Sequence, residues 1–169
     1  EQQGEVLERA RARGVTAMLN IATRESEWDD VLAAAEANAD VWASVGIHPH
    51  DADHHPDVDT AKLAERAAHP RVIGIGETGL DYFYDKSPRE AQRANFATHL
   101  AAARLSGLPV IVHTRDADDD TARMLDAAAG QGPLAGVLHC FTSSAELARH
   151  ALGLGFYISL SGIVTFRNA

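Results

Sequence analysis

Three residues stand in the same kind of place, at or near the end of a short apolar run: Glu77 in Gly74-Ile75-Gly76-Glu77, His113 in Pro109-Val110-Ile111-Val112-His113, and His139 in Gly136-Val137-Leu138-His139. One carboxylate and two neutral imidazoles delivered in this way make a mixed oxygen and nitrogen donor set, suited to one or two divalent ions such as magnesium, manganese or zinc. Such a centre would hydrolyse an ester or amide by generating hydroxide at neutral pH. Taken singly, each residue has a plainer explanation, a paired turn carboxylate or a hydrogen-bonded core histidine; the recurrence favours the metal. The glycines around Glu77 need a reason of their own, because glycine weakens a strand interior and marks close approach of backbone or ligand.

The richest segment is Gly46-Ile47-His48-Pro49-His50-Asp51-Ala52-Asp53-His54-His55. By spelling, His48-x-His50 is a metal pair on one face of a strand, but Pro49 argues against the strand continuing there. His48 is expected at the mouth as a donor to substrate, with His50, His54 and His55 as solvated loop residues. Arg115 is expected either to meet a substrate phosphate or to pair with Asp116. Cys140, next to His139 in a strand, should face the other side as a buried thiol. Trp28, Trp42, Phe96 and Leu100 read as packing residues.

Six β-branched runs position these groups: Val15–Ala22, Val41–Pro49, Arg71–Asp81, Pro109–Thr114, Gly136–Phe141 and Phe156–Val164. Helical segments with legible ends lie between them. Ser87-Pro88-Arg89-Glu90 offers an N-cap, a proline at the first helical position and a reciprocal acid, and Gly107 stops that helix. Ser143 with Glu146 and Ser26 with Asp29 repeat the capping pattern. Strands alternating with helices imply a parallel sheet, hence a doubly wound open sheet or part of a (β/α)8 barrel. His48, Glu77, Asp81, His113, Arg115 and His139 all lie at strand carboxyl ends, and only a barrel brings those ends to one mouth. The expected fold is therefore α/β, a TIM barrel of about six βα units, lacking the first and last strands. Neither GxGxxG nor GxxxxGK[ST] stands where a dinucleotide or P-loop site would need it.

A chain of 169 residues, 46% of them apolar, suffices for one domain with a buried core. It has no run long enough for a membrane span and no signal-peptide pattern. A lone cysteine fits a reducing, cytoplasmic setting. The net charge of −9 excludes a protein that coats duplex DNA with lysine and arginine. Nucleic-acid chemistry would have to be local, with bound cations reversing the sign inside one cleft.

In order and spacing, Gly46–His50, Gly76–Tyr82, Gln92 with Phe96, His99 and Leu100, Pro109–Ala117, His139–Thr142 and Ser161–Phe166 together resemble the TatD-related metal-dependent deoxyribonucleases. The resemblance runs across most of the chain. It implies a TIM-barrel hydrolase that cuts phosphodiester bonds of DNA or related nucleic acid. It assigns Glu77 as a metal-bridging and catalytic glutamate, His113 and His139 as single histidine ligands, and His48 as a catalytic histidine near the substrate phosphate. The family's His-x-His on the first barrel strand and its aspartate near the last strand have no counterpart here. The expectation is thus a domain over residues 1–169 cut at both ends from a longer product. Alone it should be nearly inactive, since losing a proton acceptor costs on the order of 10²–10⁴ in rate. Two rivals remain: another barrel metallohydrolase acting on a small ester, lactone or amide, and a non-catalytic partial barrel that binds a partner through its edge strands.

Overall fold

A computed structural model of the chain describes residues 3–167. Helix α1 (Gln3–Ala12) leads into β1 (Met18–Asn20), and then come α2 (Trp28–Ala37), β2 (Val41–Val45) and α3 (Thr60–Ala67). The chain continues through β3 (Val72–Asp81), α4 (Arg89–Ser106), β4 (Val110–Arg115), α5 (Asp118–Ala129), β5 (Gly136–Leu138), α6 (Ala145–Gly153) and β6 (Tyr157–Ile158). Three 3₁₀ turns, at Glu25–Glu27, Pro49–His54 and Gly162–Thr165, complete the order.

The six strands form one sheet in the order β1-β2-β3-β4-β5-β6, every pair parallel. A doubly wound sheet requires the strand order to reverse at a switch point, and this order never reverses. Crossovers of one hand between successive neighbours put every helix on the same side, so the sheet curls. The result is a half-barrel, as expected. Its core runs through Trp28, Val41, Val45, Ile47, Leu63, Ile75, Leu80, Phe96, Leu100, Val110, Val112, Leu125 and Leu138. Full burial of a side chain such as Phe96 or Leu100 contributes roughly 1.5–3 kcal/mol.

Strand β3 is the longest of the six and packs against α4. Its register with β4 slips between Ile75, opposite Val110, and Thr78, opposite Val112, so one extra residue is accommodated at Gly76-Glu77. A bulge of this kind re-aims a side chain and bends the strand. The flanking glycines are required by β4's backbone. A Cβ on Gly76 would lie 2.5 Å from the Ile111 carbonyl oxygen, and one on Gly79 would lie 2.0 Å from that of His113, each at a positive φ as well.

Several local expectations need correction. Strands β1, β5 and β6 are shorter than their apolar runs: β5 pairs over only three residues, so β6, whose one neighbour among the described residues is β5, pairs over two. Beyond β6 the chain turns at Gly162–Thr165 instead of extending to Val164. Strand β2 ends at Val45, and Pro49 opens a 3₁₀ turn. Ser87 does not cap α4; its hydroxyl donates to Asp53 (2.6 Å) and to the His50 carbonyl (3.0 Å). Ser144, not Ser143, caps α6, accepting from the Leu147 N–H. Ser26 lies within the 3₁₀ turn ahead of α2 and caps nothing. Helix α4 ends at Gly107, as expected.

Helix α4 also grips the strand ends through buried polar side chains. Gln92 accepts the Asp81 N–H (2.8 Å) and donates to the Ser87 carbonyl (2.8 Å). Asn95 donates to the Ile47 carbonyl (2.9 Å), and His99 accepts the Ile47 N–H (2.9 Å). From below, Trp28 donates its indole N–H to the Gly46 carbonyl at 3.1 Å. The backbone that carries His48 is thus fixed from two sides.

Candidate metal centre

The carboxyl ends of β2, β3 and β4 converge. His48, Glu77 and His113 each offer a ligand atom, and these three atoms lie within 4.8 Å of one another. Glu77 projects from the bulge, its own N–H held by the Ala22 carbonyl at 3.1 Å. His113 lies between two carboxylates: Nδ1 is 3.4 Å from Glu77 Oε1, and Nε2 is 3.1 Å from Asp81 Oδ2. His139 follows the end of β5, and its N–H extends the ladder to the Val112 carbonyl at 2.7 Å. It stays outside the convergent three, yet near enough for its charge to act on Glu77.

Asp81 and His50 belong to this cluster, and the sequence reading gave neither a role in it. Asp81, buried at the end of β3, accepts from His50 Nε2 at 2.7 Å and from the N–H groups of Phe83 (3.1 Å) and Tyr84 (2.8 Å). His50 was expected in solvent; the 3₁₀ turn at Pro49–His54 instead rotates its ring back onto Asp81. His55 is also largely covered, beside Glu25, whereas His54 is exposed as expected. A polar residue on an otherwise apolar helix face was the available signal for Gln92, Asn95 and His99.

The protonation states suit a cation. Burial opposes the charge on Glu77, but the hydrogen bond from His113 and the fields of His48, His113 and His139 outweigh it and hold the carboxyl below its usual range. Asp81 is lowered in the same way, burial being overcome by the Tyr84 N–H and by His50 and His113. Burial pushes His48 down to about 4, with neighbouring His113 adding to the effect. His48 is therefore neutral, and because its Nδ1 accepts the His50 N–H at 3.2 Å, its proton sits on Nε2. The donor chemistry fits a divalent ion: an ionised carboxylate, and an imidazole whose far nitrogen reaches a second carboxylate, the usual orienting arrangement for a metal-bound histidine.

Arg115 is not paired with Asp116. Its guanidinium lies 4.1 Å from the Phe83 ring centroid and 4.8 Å from that of Tyr84. Cys140 is half-buried at a φ of 47°, its Sγ 2.9 Å from Ser161 Oγ, because β5 has already ended and no strand face remains for it to point away from. Trp42 is only partly buried and serves as a platform for Arg71, 4.3 Å above its ring.

A curled parallel half-barrel with a carboxylate and histidines at its strand carboxyl ends is the architecture of the TIM-barrel-like metal-dependent hydrolases. Within that class the chain belongs to the TatD-related DNase family, whose model matches residues 1–169. It is 39% identical over 165 residues to the uncharacterized metal-dependent hydrolase YabD of Bacillus subtilis, covering 98% of this chain and 64% of YabD. It is also 39% identical to the 3'-5' ssDNA/RNA exonuclease TatD of Cronobacter turicensis, covering 95% of this chain and 60% of that protein. The crystal structure of YjjV, a TatD homologue from Escherichia coli, superimposes with a TM-score of 0.89 at 31% identity, over 99% of this chain and 64% of YjjV. The chain thus spans a little under two thirds of the length of these relatives.

Proposed function

We propose that this chain carries most of the metal centre of a divalent-metal-dependent hydrolase that cleaves phosphodiester bonds of DNA or related nucleic acid. The observation that supports it most is the convergence of Glu77 and His113 with His48 at one mouth, with Asp81 behind them. In this reading Glu77, His113 and His139 hold one or two ions. When bound, a divalent ion lowers the pKa of its water to ~7 and offsets charge on the phosphate. Asp81 fixes the His113 ring so that Nδ1 stays on the side of Glu77. The His48 Nε2–H donates to a phosphate oxygen, and as a neutral donor it needs no change of charge across neutral pH. Arg115, with no ion pair of its own among the described residues, meets a neighbouring phosphate. The exonuclease name carried by the Cronobacter relative supports the substrate class.

A cytoplasmic setting belongs to the same reading, supported by the single cysteine. No helix among the described residues is long and apolar enough to cross a membrane. The deciding assay is manganese- or magnesium-dependent cleavage of labelled single-stranded DNA, beside a panel of small esters, lactones and amides. It is run on this chain and on the product of the complete reading frame that encodes it. DNA cleavage abolished by Glu77→Ala supports the proposal. Turnover of a small substrate with intact DNA overturns it, and absence of both together with absence of bound metal favours a non-catalytic module.

A further inference from the structure

Immediately beyond β3 the chain exposes two large rings. Phe83 and Tyr84 are each 54% exposed and meet edge to face, 4.8 Å between centroids. Apolar rings left in water at a cleft mouth have a use when a flat ligand covers them. These two are held in place. Both backbone N–H groups donate to Asp81, the carboxylate that also accepts from His113, and the Tyr84 ring stands edge-on to His50 at 5.6 Å.

Arg115 braces both rings, and its guanidinium makes no hydrogen bond or ion pair among the described residues, so its side-chain donors remain available to an anion. Lys86 adds a second cation, 5.8 Å from the Tyr84 centroid, while the intervening Asp85 is neutralised by Arg89 at 3.2 Å. On a chain of net charge −9 this places two cations and two half-exposed rings together beside the candidate centre.

We propose that Phe83 and Tyr84, at right angles to one another and braced by Arg115, form an aromatic platform on which an unpaired base of the strand whose phosphate lies at the metal centre stacks against one ring and meets the edge of the other. The inference rests on the nucleic-acid reading above and adds a specificity determinant to it. Every base offers a π-face, so stacking tolerates sequence, but a base inside a duplex has both faces covered by its neighbours. The platform therefore selects single strands and frayed ends over paired DNA.

The experiment is fluorescence anisotropy in magnesium with two phosphorothioate-linked ten-residue probes, which survive the titration: fluorescein-labelled oligothymidine, and an abasic strand of equal length. Wild type should prefer oligothymidine by about fivefold to about a hundredfold, the range spanned by base–aromatic stacking. Phe83→Ala combined with Tyr84→Ala should remove that preference and leave abasic binding and the melting temperature unchanged, since both side chains lie outside the core. Phe83→Trp should retain it. A double variant that keeps the preference, or a wild type that binds both probes equally, overturns the platform and leaves the nucleic-acid reading standing. A wild type that binds neither probe overturns both.

Discussion

His99 touches no candidate ligand, yet it should govern how the whole fold responds to acid. Its ring is fully buried, Nε2 accepting the Ile47 N–H and Nδ1 donating to the Asn95 carbonyl at 2.8 Å. Burial pushes its pKa from 6.5 down to about 4, against the opposing pull of the Asn95 carbonyl. An unfolded chain therefore takes up a proton below pH 6.5 that the folded chain refuses until about 4. The stability from this group is complete above the unfolded value and is lost as pH falls through the interval. At about 1.4 kcal/mol for each pH unit between the two values, the loss reaches about 2 kcal/mol by pH 5 and about 3 kcal/mol by pH 4. In His99→Leu nothing titrates at this position, but the Ile47 N–H is stranded in the core at a cost of about 1–3 kcal/mol. Wild type should be the more stable by that amount at pH 7, and the gap should shrink by about 2 kcal/mol by pH 5. Urea unfolding followed by circular dichroism at a series of pH values measures it. Subtracting variant from wild type cancels every titration the two share, that of His48 included. A gap constant to within ~0.5 kcal/mol from pH 7 to pH 5 would refute the assignment of a neutral, buried His99.

Two further substitutions probe the centre and its support. Asp81→Asn keeps the shape but weakens the acceptor that orients His113, so manganese affinity measured by calorimetry should fall by ~10–100-fold with the fold intact; unchanged affinity would remove Asp81 from the site. Gly79→Ala drives a methyl group into the His113 carbonyl at a position of positive φ. It should cost about 3 kcal/mol or more in chemical denaturation, and a melting temperature within a degree or two of wild type would contradict the close approach of β3 and β4.

The alternation of strands and helices was legible because β-branched runs and capping residues repeat at βα spacing. The residues at strand ends were legible for the same reason. Strand lengths were not, since pairing is limited by the neighbour: the run from Phe156 to Val164 has the composition of a strand, but β5 offers it only a three-residue partner. The caps failed where a serine had a better use, as Ser87 has with Asp53. His50 was unreadable because its role depends on the direction of a 3₁₀ turn, and a proline in the sequence announces only that the strand has stopped. The glycine pattern around Glu77 was correctly read as close approach, although the bulge it permits depends on the register with a strand some 30 residues on.

The sequential strand order has a consequence for how the protein is made. Each strand pairs with the one synthesised just before it, so a chain growing from its amino end always finds its docking edge already present. Such step-by-step assembly avoids the long waits that distant pairings impose. His48 follows β2, Glu77 lies at the bulge of β3 and His113 lies within β4, so the three groups come together once β4 has left the ribosome, before β5 has emerged.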